Sequence, residues 1–340
     1  MLADCRRIGA GLLTALALAA CQPAPPATDA ARPQPRPETA PAPDDTQARL
    51  RAARAERNRA ANAAAIRARA GASDASLTQR DYYDRMQQRL LSQGRLRRDR
   101  VPADAPIDAE MLARNFVQIA LRDEYTRRDG ALVAEAQAAP LRRWDVPVRI
   151  QPEFGASTDI AAQRAWRSEI AEYAARLAGA TRHPVQIAAD RGNFVVLVVT
   201  DDERRRIGAR LAELVPGIPP EDVAILRDLP PGIACTVFAY SEGGSPVYAH
   251  AVAVIRTELP RLLRTSCIHE ELAQGLGLAN DSPGARPSIF NDDEEFALLT
   301  RHDELLLRIL YDPRLRPGMT EAEALPVVRQ IAAELLAQPV

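Results

Sequence analysis

The spacing of apolar residues predicts the order of the fold. In "AEMLARNFVQIALRDEY", Met111, Leu112, Phe116, Ile119 and Leu121 give a broad apolar face behind Asp108, a good N-cap residue, so a helix is predicted there. Ala162, Trp166, Ile170, Tyr173 and Leu177 recur every three or four places after Ser157-Thr158-Asp159, which predicts a second capped helix. Strands are expected in "WDVPVRIQPEF", "PVQIAA" and "NFVVLVVT", and again in "ACTVFAYSE" and "VYAHAVAVIRTEL" on either side of the turn pair Gly243-Gly244. Helices are expected in "DDERRRIGARLAELV", from about Leu259 to Gly277, and twice in the tail. This order implies an α+β domain with a mixed sheet and a helical C-terminal part, long enough to bury a core of its own.

The polar segments lie mainly towards the N-terminus. Residues 22–48 alternate Pro with small and polar residues and hold no large apolar side chain, so they cannot offset the entropy of ordering and are expected to form an extended spacer. Residues 49–70 turn to Ala and Arg, with high helix propensity but only Leu50 and Ile66 as sizeable apolar residues, which predicts a solvated helix. Together these make a Pro/Ala/Arg-rich tether over 22–77, followed by a helical lead-in over 78–103 and the folded domain over 104–338.

Residues 1–21 read as an export signal. Arg6 and Arg7 precede an apolar run from Ile8 to Ala20 that is too short for a membrane span. Leu18-Ala19-Ala20-Cys21 resembles the lipobox of bacterial lipoproteins, which implies acylation of Cys21 and a membrane partner through the lipid. Gln22 stands where Asp favours inner-membrane retention in sorted lipoproteins, so the expected location is the periplasm-facing cell envelope, at the outer rather than the inner membrane. Removing Cys5 with the signal and committing Cys21 to lipid leaves Cys235 and Cys267, which an oxidising compartment is expected to join as a disulfide. The net charge of −1 gives no global field for nucleic acid, and no nucleic-acid partner is expected. All 44 basic residues are Arg, so an abundance of guanidinium groups marks no site by itself.

Candidate chemistry centres on "HEELAQGLGLAND", residues 269–281. His269-Glu270 opens like the His-Glu-x-x-His helix of zinc proteases, but Ala273 stands where the second imidazole is needed. Shifted by one residue, Glu270, Glu271 and Gln274 fill the His, Glu and His places, Gly277 fills the turn glycine and Asn280 the third ligand, with Asp281 beside it. Further on, Ser288-Ile289-Phe290-Asn291 resembles a metzincin Met-turn with Phe290 in place of methionine. "LLTRHDELLLRILYDP" resembles the helix that closes those domains, through Asp303, Leu310 and Tyr311.

On these motifs the chain resembles the metzincins, and more closely an uncharacterised family of proteobacterial lipoproteins sharing the Glu-Glu-x-x-Gln helix, the Ser-Ile-Phe-Asn-Asp loop and the Leu-Tyr-Asp-Pro-Arg-Leu-x-Pro-Gly-Met ending. The resemblance implies a zincin-like α+β fold with an active-site-type helix and a C-terminal helical subdomain. It does not carry the peptidase activity over. Glu270, Gln274 and Asn280 are hard oxygen donors without an imidazole, a set that suits no zinc and, if any ion, a divalent cation such as Ca²⁺, Mg²⁺ or Mn²⁺. The expectation is therefore a non-catalytic domain with no cofactor that binds a peptide, protein or cell-wall component. The alternative is a divergent hydrolase with Glu271 as general base. Two further sets stay open: His269 with Asp281 and the acidic run at 291–295, or that run alone as a Ca²⁺ site.

Overall fold

The computed structural model describes residues 45–337 except 129, 130 and 292, so the expected signal segment, Cys21 and most of the Pro-rich spacer lie outside the described residues. No helix among the described residues is long and apolar enough to cross a membrane.

Two helices precede the domain proper, α1 (Asp45–Ala70) and α2 (Asp74–Ser92). Within α1, Ile66 is exposed, as a helix without an apolar face requires. Its last turns are nonetheless held by polar contacts. Arg69 donates to the Ser157 carbonyl at 3.0 Å and pairs with Asp159, and Asn62 Oδ1 accepts from the Ile160 N–H. The expectation of a purely solvated helix is corrected here, because these hydrogen bonds and the burial of Ala65 tie it down. α2 is fixed through Ser76, whose hydroxyl donates to the buried Glu258 at 2.6 Å, and through the Tyr83 hydroxyl on the Pro231 carbonyl.

The domain begins with α3 (Ala109–Ala120), capped by Asp108, whose carboxylate accepts from the Met111 N–H at 2.7 Å. A hairpin of β1 (Arg122–Arg128) and β2 (Ala131–Ala138) follows, paired antiparallel and separate from the main sheet. The main sheet contains β3 (Val148–Phe154), β4 (Val185–Ile187), β5 (Phe194–Val199), β6 (Cys235–Ser241) and β7 (Tyr248–Arg256) in the order β4-β3-β5-β7-β6. All neighbours are parallel except β6 and β7, so β6 is an antiparallel edge.

The all-apolar sequence of β5, "FVVLVV", follows from its central place, because both faces are covered. Phe194, Val196 and Val198 join the larger core, with α4 (Ile160–Thr181), α8 (Arg261–Gln274) and α9 (Arg301–Leu310). Val195, Leu197 and Val199 face the smaller core, built with α6 (Gly208–Leu214) and α7 (Pro220–Arg227). The one helix expected over 201–215 is thus a short α5 (Asp201–Arg204) followed by α6, and α7 is an addition opened by Pro220 in its first turn. α10 (Glu321–Ala337) packs with α9 against α3. The result is an α+β domain with helices on both faces of a mixed sheet, and its site helix α8 lies against β6 and β7.

Candidate functional site

α8 starts after Pro260 and is buried along most of its length, with Leu262, Leu263, Ile268 and Leu272 in the core. Adjacent helix positions point about 100° apart, so His269 and its two glutamates serve different surroundings. His269 faces α4: its ring stacks on Tyr173 at 4.0 Å, its carbonyl accepts from the Tyr173 hydroxyl at 2.7 Å, and its Nδ1 accepts from the Leu299 N–H at 3.0 Å. Burial, with a smaller contribution from Arg176, pushes this imidazole down to about 3, so it is neutral at ordinary pH. His269 is a packing residue there and does not line the cleft described next.

Glu270, Glu271 and Gln274 face the opposite way, into a cleft of about 740 Å³. Its walls are β6 from Cys235 to Ala239, the hairpin residues Asp123, Glu124 and Tyr125, and Arg142, Tyr248 and Asp281, with the segment around Asp228–Pro230 closing one side. Six carboxylates (Asp123, Glu124, Asp228, Glu270, Glu271, Asp281) thus share it with one guanidinium, Arg142, which is itself paired with Asp123. Gln274 donates to Asp281 Oδ1 at 3.2 Å, bridging the helix to the segment after it.

Glu271 is 3 % exposed, and its Oε2 has no hydrogen-bond partner. Burial drives the Glu270 and Glu271 carboxyls well above the ordinary carboxylate range, and Asp281 and Glu124 add like charge to the effect. Tyr125 is raised as well, by burial and then by Glu124.

The positions expected from the shifted frame separate into two groups. Glu270, Glu271, Gln274 and Asp281 come together in the cleft. Asn280 does not line it: its amide donates to the Gln118 carbonyl at 2.7 Å and its N–H to the Ile119 carbonyl at 3.0 Å, so it docks the chain onto α3. Gly277 takes φ 121°, the conformation for which glycine was expected, and a Cβ there would lie 2.5 Å from the Arg142 carbonyl oxygen. Phe290 is fully buried in a loop fastened by Asp303, which accepts from the Ser288 hydroxyl at 2.5 Å and the Ile289 N–H at 3.2 Å.

Cys235 and Cys267 form a disulfide with Cα atoms 5.9 Å apart, tying β6 to α8 beside the two glutamates. Ligand atoms of Cys235, Glu270 and Glu271 lie within 4.8 Å of one another, the one such group among the described residues, but the sulfur is committed to the disulfide and offers no thiolate. None of the four histidines lines the cleft, so its donors do not fit a zinc ion. Within the acidic run, Glu295 is committed to ion pairs with Arg97 and Arg286.

Residues 109–330 match the model of a family described as "Protein of unknown function (DUF2927)". The chain belongs to that family. The matched region runs from the start of α3 into α10 and includes every cleft residue named above, whereas α1 and α2 lie before it. No curated protein and no solved structure matches the chain.

The hairpin residues Asp123, Glu124 and Tyr125 were not expected in the site. "RDEYTRR" shows no apolar alternation, and the one available signal was the Asp129-Gly130 pair that stands between the two strands in sequence.

Proposed function

We propose that this family member is a lipid-anchored cell-envelope protein, periplasm-facing and at the outer membrane, whose domain is a zincin-like scaffold with its metal ligands replaced. In this reading the cleft binds an extended peptide without cleaving it. The observation that carries it is the acidic cleft under the edge strand β6. An edge strand has unpaired backbone donors and acceptors on its outer side, so an incoming extended chain can add to it, with side chains entering the space below. The pocket beneath is negative, and the unpartnered Oε2 of Glu271 invites a donor, so the favoured guest carries a cationic side chain.

Titrating the purified protein with fluorescent lysine-containing peptides, and the same peptides acetylated on lysine, tests this. Acetylation is expected to cost about tenfold or more in affinity, as is Glu270→Gln, since each removes a charge-assisted contact worth about 1.5–3 kcal/mol. Equal binding of both peptide sets would refute the reading.

The second reading is a divergent hydrolase with Glu271 as general base and a hard cation held by Glu270, Gln274 and Asp281. It is favoured by the convergence of these oxygens and by their number. Metal analysis after chelator-free purification separates the two: a stoichiometric Ca²⁺, Mg²⁺ or Mn²⁺, with peptide cleavage lost in Glu271→Gln, establishes the hydrolase, and its absence leaves the binding protein.

A further inference from the structure

A second concavity, of about 400 Å³, lies between the C-terminal end of α4 and α9 and shares no lining residue with the acidic cleft. Its polar lining is Arg100, Arg176, Arg182, Arg301 and Arg308 against Glu304, five guanidiniums to one carboxylate and an excess of four positive charges. Glu304 is already shared. It accepts from Arg176 Nε at 2.9 Å and Arg100 Nε at 3.1 Å, while Arg301 stands 3.9 Å away.

That sharing explains two of the arginines as a structural tie between the segment after α2, α4 and α9. It leaves the others unexplained. Arg308 donates through Nη2 to the Gly179 carbonyl at 2.8 Å, but its Nη1 is buried without any partner. Arg182 sits at the α4 C-cap with φ 57°, a left-handed conformation uncommon for a side-chain-bearing residue, which sets an exposed guanidinium on this rim. A buried donor without an acceptor costs about 1–3 kcal/mol. One multiply charged anion with several acceptor oxygens supplies what the shared carboxylate cannot.

We propose that this pocket binds a phosphate-bearing anion, with Arg182, Arg301 and Arg308 as its direct contacts and the Arg100–Glu304–Arg176 set as the frame that holds them. Planar guanidinium donors match phosphate oxygens in pairs, and a dianion offsets the excess charge better than a single carboxylate. The anion is either a soluble phosphate or the headgroup of an acidic phospholipid.

The test uses the full chain and two probes at constant ionic strength. Pyrophosphate is titrated calorimetrically against a sodium chloride control, and co-sedimentation is measured with phosphatidylcholine vesicles with and without phosphatidic acid. Saturable binding is expected to at least one probe, weakened about tenfold by Arg182→Gln and by Arg308→Gln, the loss of one charge-assisted contact. Arg182→Gln makes the cleaner variant because that side chain makes no hydrogen bond or ion pair among the described residues, and its melting temperature should equal that of the parent. Pyrophosphate binding identifies a soluble ligand. Vesicle binding that depends on phosphatidic acid and on both arginines, without pyrophosphate binding, identifies a lipid headgroup. Binding no stronger than chloride, or undiminished in both variants, overturns the site.

Discussion

Replacing His269 by Phe tests whether this histidine is a packing residue or a lost metal ligand. Phe keeps the ring that stacks on Tyr173 at 4.0 Å but removes the acceptor for the Leu299 N–H, orphaning a buried donor at a cost of about 1–3 kcal/mol near neutral pH. The pH dependence sharpens the expectation. The folded imidazole lies near 3 against 6.5 when unperturbed, so protons favour the unfolded chain, and the contribution of the neutral ring is complete above 6.5 and lost as the pH falls towards 3. The full gap corresponds to roughly 5 kcal/mol, at about 1.4 kcal/mol per pH unit. By about pH 4.5 the parent has given up about 2–3 kcal/mol that Phe never had to lose, so the two stability curves should converge or cross there. Carboxylates titrate over the same range in both proteins and largely cancel in the difference. Urea denaturation followed by the fluorescence of the buried Trp144 and Trp166 reads both proteins at both pH values. Parallel curves, or an imidazole that titrates near its ordinary value by NMR, would refute the packing role. A loss of cation binding in the variant would move His269 back into a metal site.

Two further outcomes bear on the cleft. Replacing Cys235 by Ser and Cys267 by Ala opens a loop whose ends are 32 residues apart, which should lower unfolding free energy by about 3–4 kcal/mol in the loop-entropy model and weaken the proposed peptide binding by freeing β6 from α8; a loss below about 1 kcal/mol contradicts this. Glu271→Gln should stabilise the ligand-free protein at alkaline pH. The Glu271 carboxyl is raised by burial, so its stabilising share is complete below the ordinary carboxylate range and is lost as pH rises; the advantage of Gln over the parent should grow from acid to alkaline pH, and denaturation midpoints across that range check the sign.

Much of the scaffold was legible because local chemistry and burial agree. Asp108 and Asp159 cap the helices they were expected to cap, and the run "FVVLVV" is central because only a strand covered on both faces tolerates such a sequence. Reading failed where tertiary contacts outweigh local pattern. The hairpin β1–β2 stands outside the main sheet and carries charged residues where alternation was sought, so its share of the cleft left little trace in the sequence. The third position of the motif was misjudged for a geometric reason. Helical phase predicts facing only while the helix lasts, and α8 ends at Gln274. Beyond it the chain turns through Gly277 with positive φ, and that turn gives the cleft to Asp281 and the α3 docking contact to Asn280.

On the proposed reading, the donor set of the cleft bears on what it can hold more than its shape does. An imidazole set is neutral when ready for zinc and costs little to bury, whereas each added carboxylate must either ionise beside its neighbours or keep its proton. Glu270 and Glu271 resolve the conflict by holding their protons far above the usual range, leaving an uncharged but unsatisfied Oε2 on Glu271. A cationic guest reverses that balance, because its charge favours the ionised acids and its N–H groups supply the missing hydrogen bond. Binding then releases protons, and affinity for an ammonium or guanidinium group rises with pH until the glutamates are ionised in the free protein as well. A neutral donor could supply only the hydrogen bond and an anionic guest would add like charge, so on the proposed reading the cleft's preference for a cation follows from the cost of crowding acids in a buried space.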